Sequence, residues 1–284
     1  VIQPEDRSTT SIVPAEIGGA DGMSEADSAD LARAVELLEN PSLIARITDF
    51  VGQPLEQFID VLPSGASDRL QITVRSSLEK LLNVAVRTMD HADRRPAADL
   101  KHKTATAVSG AVGGFFGAPA LAVELPVTTS IILRSIADIA RSEGEDLARV
   151  DARLACLEVF ALGGASDSDD ASETGYFAVR AGMTKIMSDA AKYIAERGLT
   201  AEGGPVVARF VAAIAARFST VVSEKVAAQA IPVLGAIGGA SVNVLFMNHF
   251  QDVARGHFIV RRLERRYGRD LVRTEYRRLA AGGS

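Results

Sequence analysis

The sequence predicts an all-α fold, a single-domain multi-helix bundle with two central glycine-rich apolar helices, and three observations predict it. Apolar residues return at i, i+3, i+4 and i+7 along most of the chain, the spacing that lines one face of a helix. Nowhere do apolar and polar residues alternate over a strand's length between hairpin-type turns. Two long segments, 104–133 and 226–248, carry one charged residue (Glu124) and none, and a helix apolar all round belongs in a core. With 284 residues, the chain has ample length to bury one.

Residues 1–23 mix Pro4, Pro14, Gly18, Gly19 and Gly22 with acids and hydroxyls and read as a flexible acidic tail, not a signal peptide. The helical domain is expected over 24–284. From Ser24, Leu31, Ala34, Val35 and Leu38 line a first helix, which Asn40-Pro41 ends. Leu55, Phe58, Ile59 and Leu62 predict a second. Leu70, Val74, Leu78, Leu81, Leu82, Ala85 and Met89 then keep a period near 3.6 until Pro96. Ile186, Met187, Ala190 and Ile194 make a shorter stripe, and Val207, Phe210, Val211, Ile214, Phe218, Val221 and Val222 a longer one.

Composition narrows the function classes. The net charge of −5 argues against a nucleic-acid partner, whose recognition leans on positive charge. One cysteine, Cys156, cannot form a disulfide within the chain; it sits among Leu154, Leu157 and Val159 and reads as a buried apolar residue. No metal or cofactor is expected, because the zinc, di-iron and P-loop spacings are missing. Asp167, Asp169, Asp170 and Glu173 lack the pattern of a calcium loop, and Asp170 and Glu173 have the spacing of a capping box.

Gly110, Gly113, Gly114 and Gly117 in the first apolar segment, and Gly235, Gly238 and Gly239 in the second, would let helix backbones approach closely. Three readings stay open: two packed core helices, a cavity for a lipid or other apolar ligand, and a hairpin that enters a bilayer. The cavity reading makes Gly113, Gly114, Phe116, Gly117, Arg134, Gly238 and Gly239 the ligand-binding candidates. Gly110-Ala-Val-Gly-Gly echoes Gly235-Ala-Ile-Gly-Gly, and Asp138-Ile-Ala-Arg echoes Asp252-Val-Ala-Arg.

Glu124, Thr128, Ile131, Ser135 and Asp138 would share one face of a continuous helix, a register that Pro126 threatens. Buried without a cation, Glu124 would have a raised pKa; Arg134 or Arg141 would instead keep it as a structural pair. His249 and His257 lie about 80° apart around a helix, with Asp252 one turn beyond His249. Together with Tyr176, these residues give a catalytic candidate set of Glu124, Asp138, Tyr176, His249, Asp252 and His257.

Charge is polarised along the chain: residues 1–60 carry a net of −9, residues 250–284 a net of +5. In one C-terminal helix, Arg262, Arg266, Arg269, Arg273 and Arg277 would form a stripe opposite Val260, Leu263, Tyr267 and Leu271. Such a stripe suits contact with an anionic membrane. The alternatives are pairing with the acidic N-terminal half and a split of the helix at Gly268.

From about residue 31 to 279 the chain resembles the EcsC proteins of bacteria. The resemblance is carried by Gly113-Gly-Phe-Phe-Gly117, Glu124-Leu-Pro-Val-Thr-Thr129, Leu133-Arg-Ser-Ile-Ala137, Ala161-Leu-Gly-Gly164, Glu173-Thr-Gly-Tyr176, His249-Phe-Gln-Asp252, Gly256-His-Phe258, Val260-Arg-Arg-Leu-Glu-Arg265 and Tyr267-Gly268. Asp167 stands where the family leads one to expect a basic residue. The resemblance implies a link to ABC transporters and secretion, since the family takes its name from a gene neighbour of such a transporter, and it implies no settled chemistry. The resulting expectation is a cytoplasmic, peripherally membrane-associated protein. It would bind an anionic lipid, another apolar ligand or a membrane partner such as an ABC-transporter component. A hydrolase-like enzyme built on the six catalytic candidates is the first alternative, and a structural interaction module the second.

Overall fold

The computed structural model describes residues 22–39, 43–51, 66–88, 118–164, 175–199, 204–229 and 238–282. Among them are nine helices and no strand: α1 (Glu25–Leu38), α2 (Leu43–Val51), α3 (Ala66–Thr88), α4 (Ala118–Ser142), α5 (Val150–Leu162), α6 (Gly175–Arg197), α7 (Gly204–Gln229), α8 (Gly238–Tyr267) and α9 (Arg269–Ala280). The expectations for the tail up to residue 21, a helix over 55–62, Met89, the glycine run 110–117, the acidic run 167–173, Pro232 and Gly235 lie outside the described residues.

Local chemistry sets the helix ends. Ser24 caps α1, its hydroxyl accepting from the Asp27 N–H at 3.2 Å. The helix stops at Leu38, ahead of Asn40-Pro41. α4 runs unbroken through Pro126, although a proline costs a helix one backbone donor. Just downstream, the Thr129 and Ser130 hydroxyls donate to the Leu125 and Pro126 carbonyls at 2.6 Å each. The register therefore survives, with Glu124, Thr128 and Ser135 buried along one face.

The helix buried all round is α5. Every residue from Ala152 to Ala161 is buried, Arg153 and Glu158 included, and α3, α4, α6, α7 and α8 all pack against it. Cys156 is fully buried, as expected, and burial pushes its thiol up to about 12. Phe160 meets Phe218 edge-on at 5.0 Å and Phe250 at 5.2 Å. The Phe250 ring lies where a Cβ on Gly163 would be, 2.5 Å from its Cε1. Only glycine leaves room for that ring.

A smaller second core joins the two ends of the described chain. Leu31, Ala34 and Val35 of α1 meet Ile259, Val260 and Leu263 of α8, Val272 and Tyr276 of α9, and Tyr176 and Phe177 at the start of α6. Gly256 admits α1 closely: a Cβ there would lie 2.6 Å from Leu38 Cγ and 3.1 Å from the Ala34 carbonyl oxygen.

Of the two C-terminal readings, one continuous helix or a split at Gly268, the structure has the split. Gly268 has φ +87°, a left-handed conformation that ends α8 and starts α9 on a new axis. The stripe therefore does not continue along one helix face.

Candidate functional site

Buried charge is costly unless it is paired and hydrogen-bonded, so the charged groups inside the bundle are the first places to seek chemistry. Glu124 on α4 accepts from Lys225 Nζ on α7 at 2.9 Å and from Asn243 Nδ2 on α8 at 3.1 Å. Lys225 is completely buried, its ammonium 4.9 Å from the Phe246 ring centre. Burial lowers its pKa and outweighs the opposing pull of Glu124. The cation beside Glu124 is thus Lys225 in place of the expected Arg134 or Arg141. Arg134 points outward, exposed, and Arg141 bonds Asp138 at 3.0 Å. The sequence reading missed Lys225 because it comes from another helix and stands beside Glu224 in an ordinary-looking polar pair, Ser223-Glu224-Lys225.

Tyr176 and His257 do meet: the Tyr176 hydroxyl and His257 Nδ1 are 3.0 Å apart. On the other side of the ring, Nε2 lies 3.8 Å from Glu158 Oε2. Burial lowers the His257 pKa well below its ordinary value, helped by Arg180 and Arg261. Burial likewise raises the Glu158 carboxyl, against the same two arginines. Two ion pairs flank this group. Arg180 grips Glu264 with two bonds of 2.8 and 2.9 Å, and Arg261 grips Glu145 at 2.8 and 3.2 Å. Glu158 is a lone charge inside an apolar run, Leu154 to Leu162.

The remaining catalytic candidates are engaged elsewhere. His249 Nε2–H donates to the Gly163 carbonyl at 2.7 Å, and burial pushes its imidazole down to about 4. Asp252 pairs with Arg46 of α2 at 2.8 Å and lies 3.7 Å from Arg255. Of the six candidates, Tyr176 and His257 bond each other, while the other four each have different partners. Among the ligand candidates, Gly113, Gly114, Phe116 and Gly117 lie outside the described residues, and Gly238 and Gly239 form the first turn of α8.

The C-terminal arginines divide into two groups. Arg262 bonds Asp27 at 3.2 Å, Asp30 at 2.5 Å and Glu143 at 2.9 Å, and Arg266 pairs with Asp27 at 2.9 Å. These two follow the alternative reading, pairing with the acidic N-terminal part. Tyr267 adds a 2.6 Å bond to Asp27. Burial works to raise the Asp27 carboxyl, but the hydrogen bonds from Tyr267 and Ser24 and the charges of Arg266 and Arg262 outweigh it and hold it low. Arg265 pairs with Glu145.

On α9, Arg269, Arg277 and Arg278 are exposed, Arg278 bonding Glu275 at 2.9 Å, and Leu271, on the side of Arg278, is 37% exposed. Arg273 lies over the Phe177 ring at 5.7 Å. The opposite side of the helix, Val272 and Tyr276, is buried. This outward basic face with an apolar tip is the candidate functional surface.

Among the described residues, one helix is long and apolar enough to cross a membrane by length and composition, Gly204–Ala228. It is neither of the two segments singled out from the sequence. Its apolar face packs into the main core through Phe210, Ile214, Phe218 and Val221.

A family model described as the EcsC protein family matches residues 21–263. Comparison with the curated proteins and with the solved structures finds no match.

Proposed function

The chain belongs to the EcsC protein family, and from that premise we propose that it works at a membrane surface, docking on anionic lipid through the outward face of α9. A family name alone supplies no activity, so the reading has to rest on a site. One observation carries it: Arg269 at the start of α9 and Arg277 and Arg278 at its end stand exposed, with Leu271 on the same side as Arg278, while Val272 and Tyr276 anchor the helix to the core. Arginines near an anionic leaflet contribute about 1 kcal/mol each, and an apolar side chain among them can enter the headgroup layer. Anchorage of the inner side keeps that face presented. A membrane-bound partner, with an ABC-transporter component as the class the family name suggests, would be met from the same orientation.

Sedimentation with vesicles of phosphatidylcholine, with and without phosphatidylglycerol, tests the reading. Binding should require the anionic lipid and fall with salt. Arg269→Gln/Arg277→Gln should weaken it by about tenfold or more, and Leu271→Ser should weaken it further. Equal binding to neutral and anionic vesicles, or binding unchanged in the double variant, would remove the proposal.

A further inference from the structure

The contact between α1 and α8 has two unlike halves. Toward the C-terminal end of α1 it is apolar and close, with Ala34 and Leu38 over Gly256. Toward its N-terminal end it is ionic: Asp27 and Asp30 hold Arg262 and Arg266, with Tyr267 also on Asp27. The helices run antiparallel, because Asp27 lies against residues 262–267 while Leu38 lies against 256. The ionic half therefore adjoins Gly268 and the start of α9, where Arg269 opens the docking face.

The ionic half is within reach of solvent. The Arg266 side chain is 51% exposed and that of Arg262 30%, although Asp27 between them is nearly buried. Arg266 is the more exposed of the two cations, and phosphate and carboxylate compete for the same bidentate donors. Beneath α1 lie Val260 and Leu263, an apolar floor beside two arginines. That is the shape of demand an anionic lipid makes, chains on an apolar surface and headgroup on a cation.

We infer that α1 is an exchangeable cover: it occupies the Arg262–Arg266 end of α8 with its own carboxylates, and an anionic lipid surface displaces it and takes those arginines. This rests on the docking reading above and extends it by adding two arginines to the contact. In the closed form Asp27 and Asp30 neutralise them together with Glu143, which lies outside α1 and keeps its bond to Arg262 when α1 leaves. In the open form they join Arg269 and Arg277 in strengthening adhesion.

A reversible lock tests the exchange on the full chain. A Cβ at position 256 would sit 2.6 Å from Leu38 Cγ, so Leu38→Cys/Gly256→Cys places two sulfurs within disulfide reach, at a Cβ separation of about 4 Å. The chain's own Cys156 is buried. Vesicles of phosphatidylcholine and phosphatidylglycerol serve as the probe. The oxidised lock should bind at least fivefold more weakly than its reduced form. Separately, Asp27→Asn/Asp30→Asn should bind more tightly than Glu25→Gln/Glu36→Gln, which removes the same charge from exposed positions of α1. Binding that depends on Arg269 and Arg277 but is equal in the oxidised and reduced lock, with the two acid-to-amide variants alike, overturns the cover and leaves the docking face. No binding by any form, the Asp27→Asn/Asp30→Asn variant included, overturns both.

Discussion

Lys225 and Glu124 show how a charge can be held inside an apolar bundle. Each is buried, and each satisfies the other, with Asn243 as an additional donor to the carboxylate. Removing one partner leaves an uncompensated charge, which costs about 3–5 kcal/mol, whereas replacing both with apolar groups of similar volume is far milder. Lys225→Met should therefore lower the urea unfolding free energy by that amount, and Glu124→Leu/Lys225→Met should recover most of it. A double variant as unstable as the single one would show that the pair does not act as a unit. His249 supplies a different test. Its folded pKa of about 4 lies below the ordinary 6.5, so its contribution to stability is present above pH 6.5 and is lost as pH falls from there through 4. The full loss is about 3 kcal/mol, and His257 acts in the same direction. The urea midpoint should drop between pH 7 and 4.5, and His249→Asn, which keeps a donor but cannot titrate there, should flatten that slope.

At the scale of elements, α9 and α1 meet in one small core, where α9 also packs on α6 and α8. Tyr276 stacks on Tyr176 at 5.6 Å, meets Phe177 edge-on at 5.0 Å and donates to Glu39 beyond the end of α1 at 2.9 Å. Tyr276→Ala should open a cavity costing roughly 3–5 kcal/mol. In hydrogen exchange, α1 and α9 should lose protection together while α5 keeps its own; loss confined to α9 would refute the shared core. The helices legible in the sequence were those with one wet face: Leu31, Ala34 and Val35 in α1, or Phe210, Ile214 and Phe218 in α7, repeat because each helix meets the interior on a single side. α5 carries no such signal, since Ala152 to Ala161 are all buried and nothing distinguishes one face from another. The candidate site was legible only in part for a related reason. Spacing finds neighbours on one helix, such as Asp138 and Arg141, but Tyr176 and His257 are 81 residues apart and Glu124 and Lys225 101. Glu124 and Glu158 were visible as lone charges in apolar runs; Lys225, next to Glu224, was not, and neither were the partners.

For the whole molecule, the polarity read along the chain becomes proximity in space. Acids of α1 sit against arginines of α8, so a sequence that is negative at its start and positive at its end cancels part of its own field. What remains outward is Arg269 at the start of α9 and Arg277 and Arg278 at its end, a smaller basic surface than the linear stripe would have been. The seam has a consequence for synthesis. Asp27 and Arg262 are separated by 235 residues, so at about 5–20 residues per second a ribosome makes the helix roughly 10–50 s before its seat exists. During that interval Leu31 and Val35 have no native neighbours on α8, and the carboxylates of Asp27 and Asp30 keep the waiting segment hydrated. A helix made later thus closes over one made earlier, and a chain stalled before Arg262 would carry α1 as an undocked arm, open to chaperones and proteases.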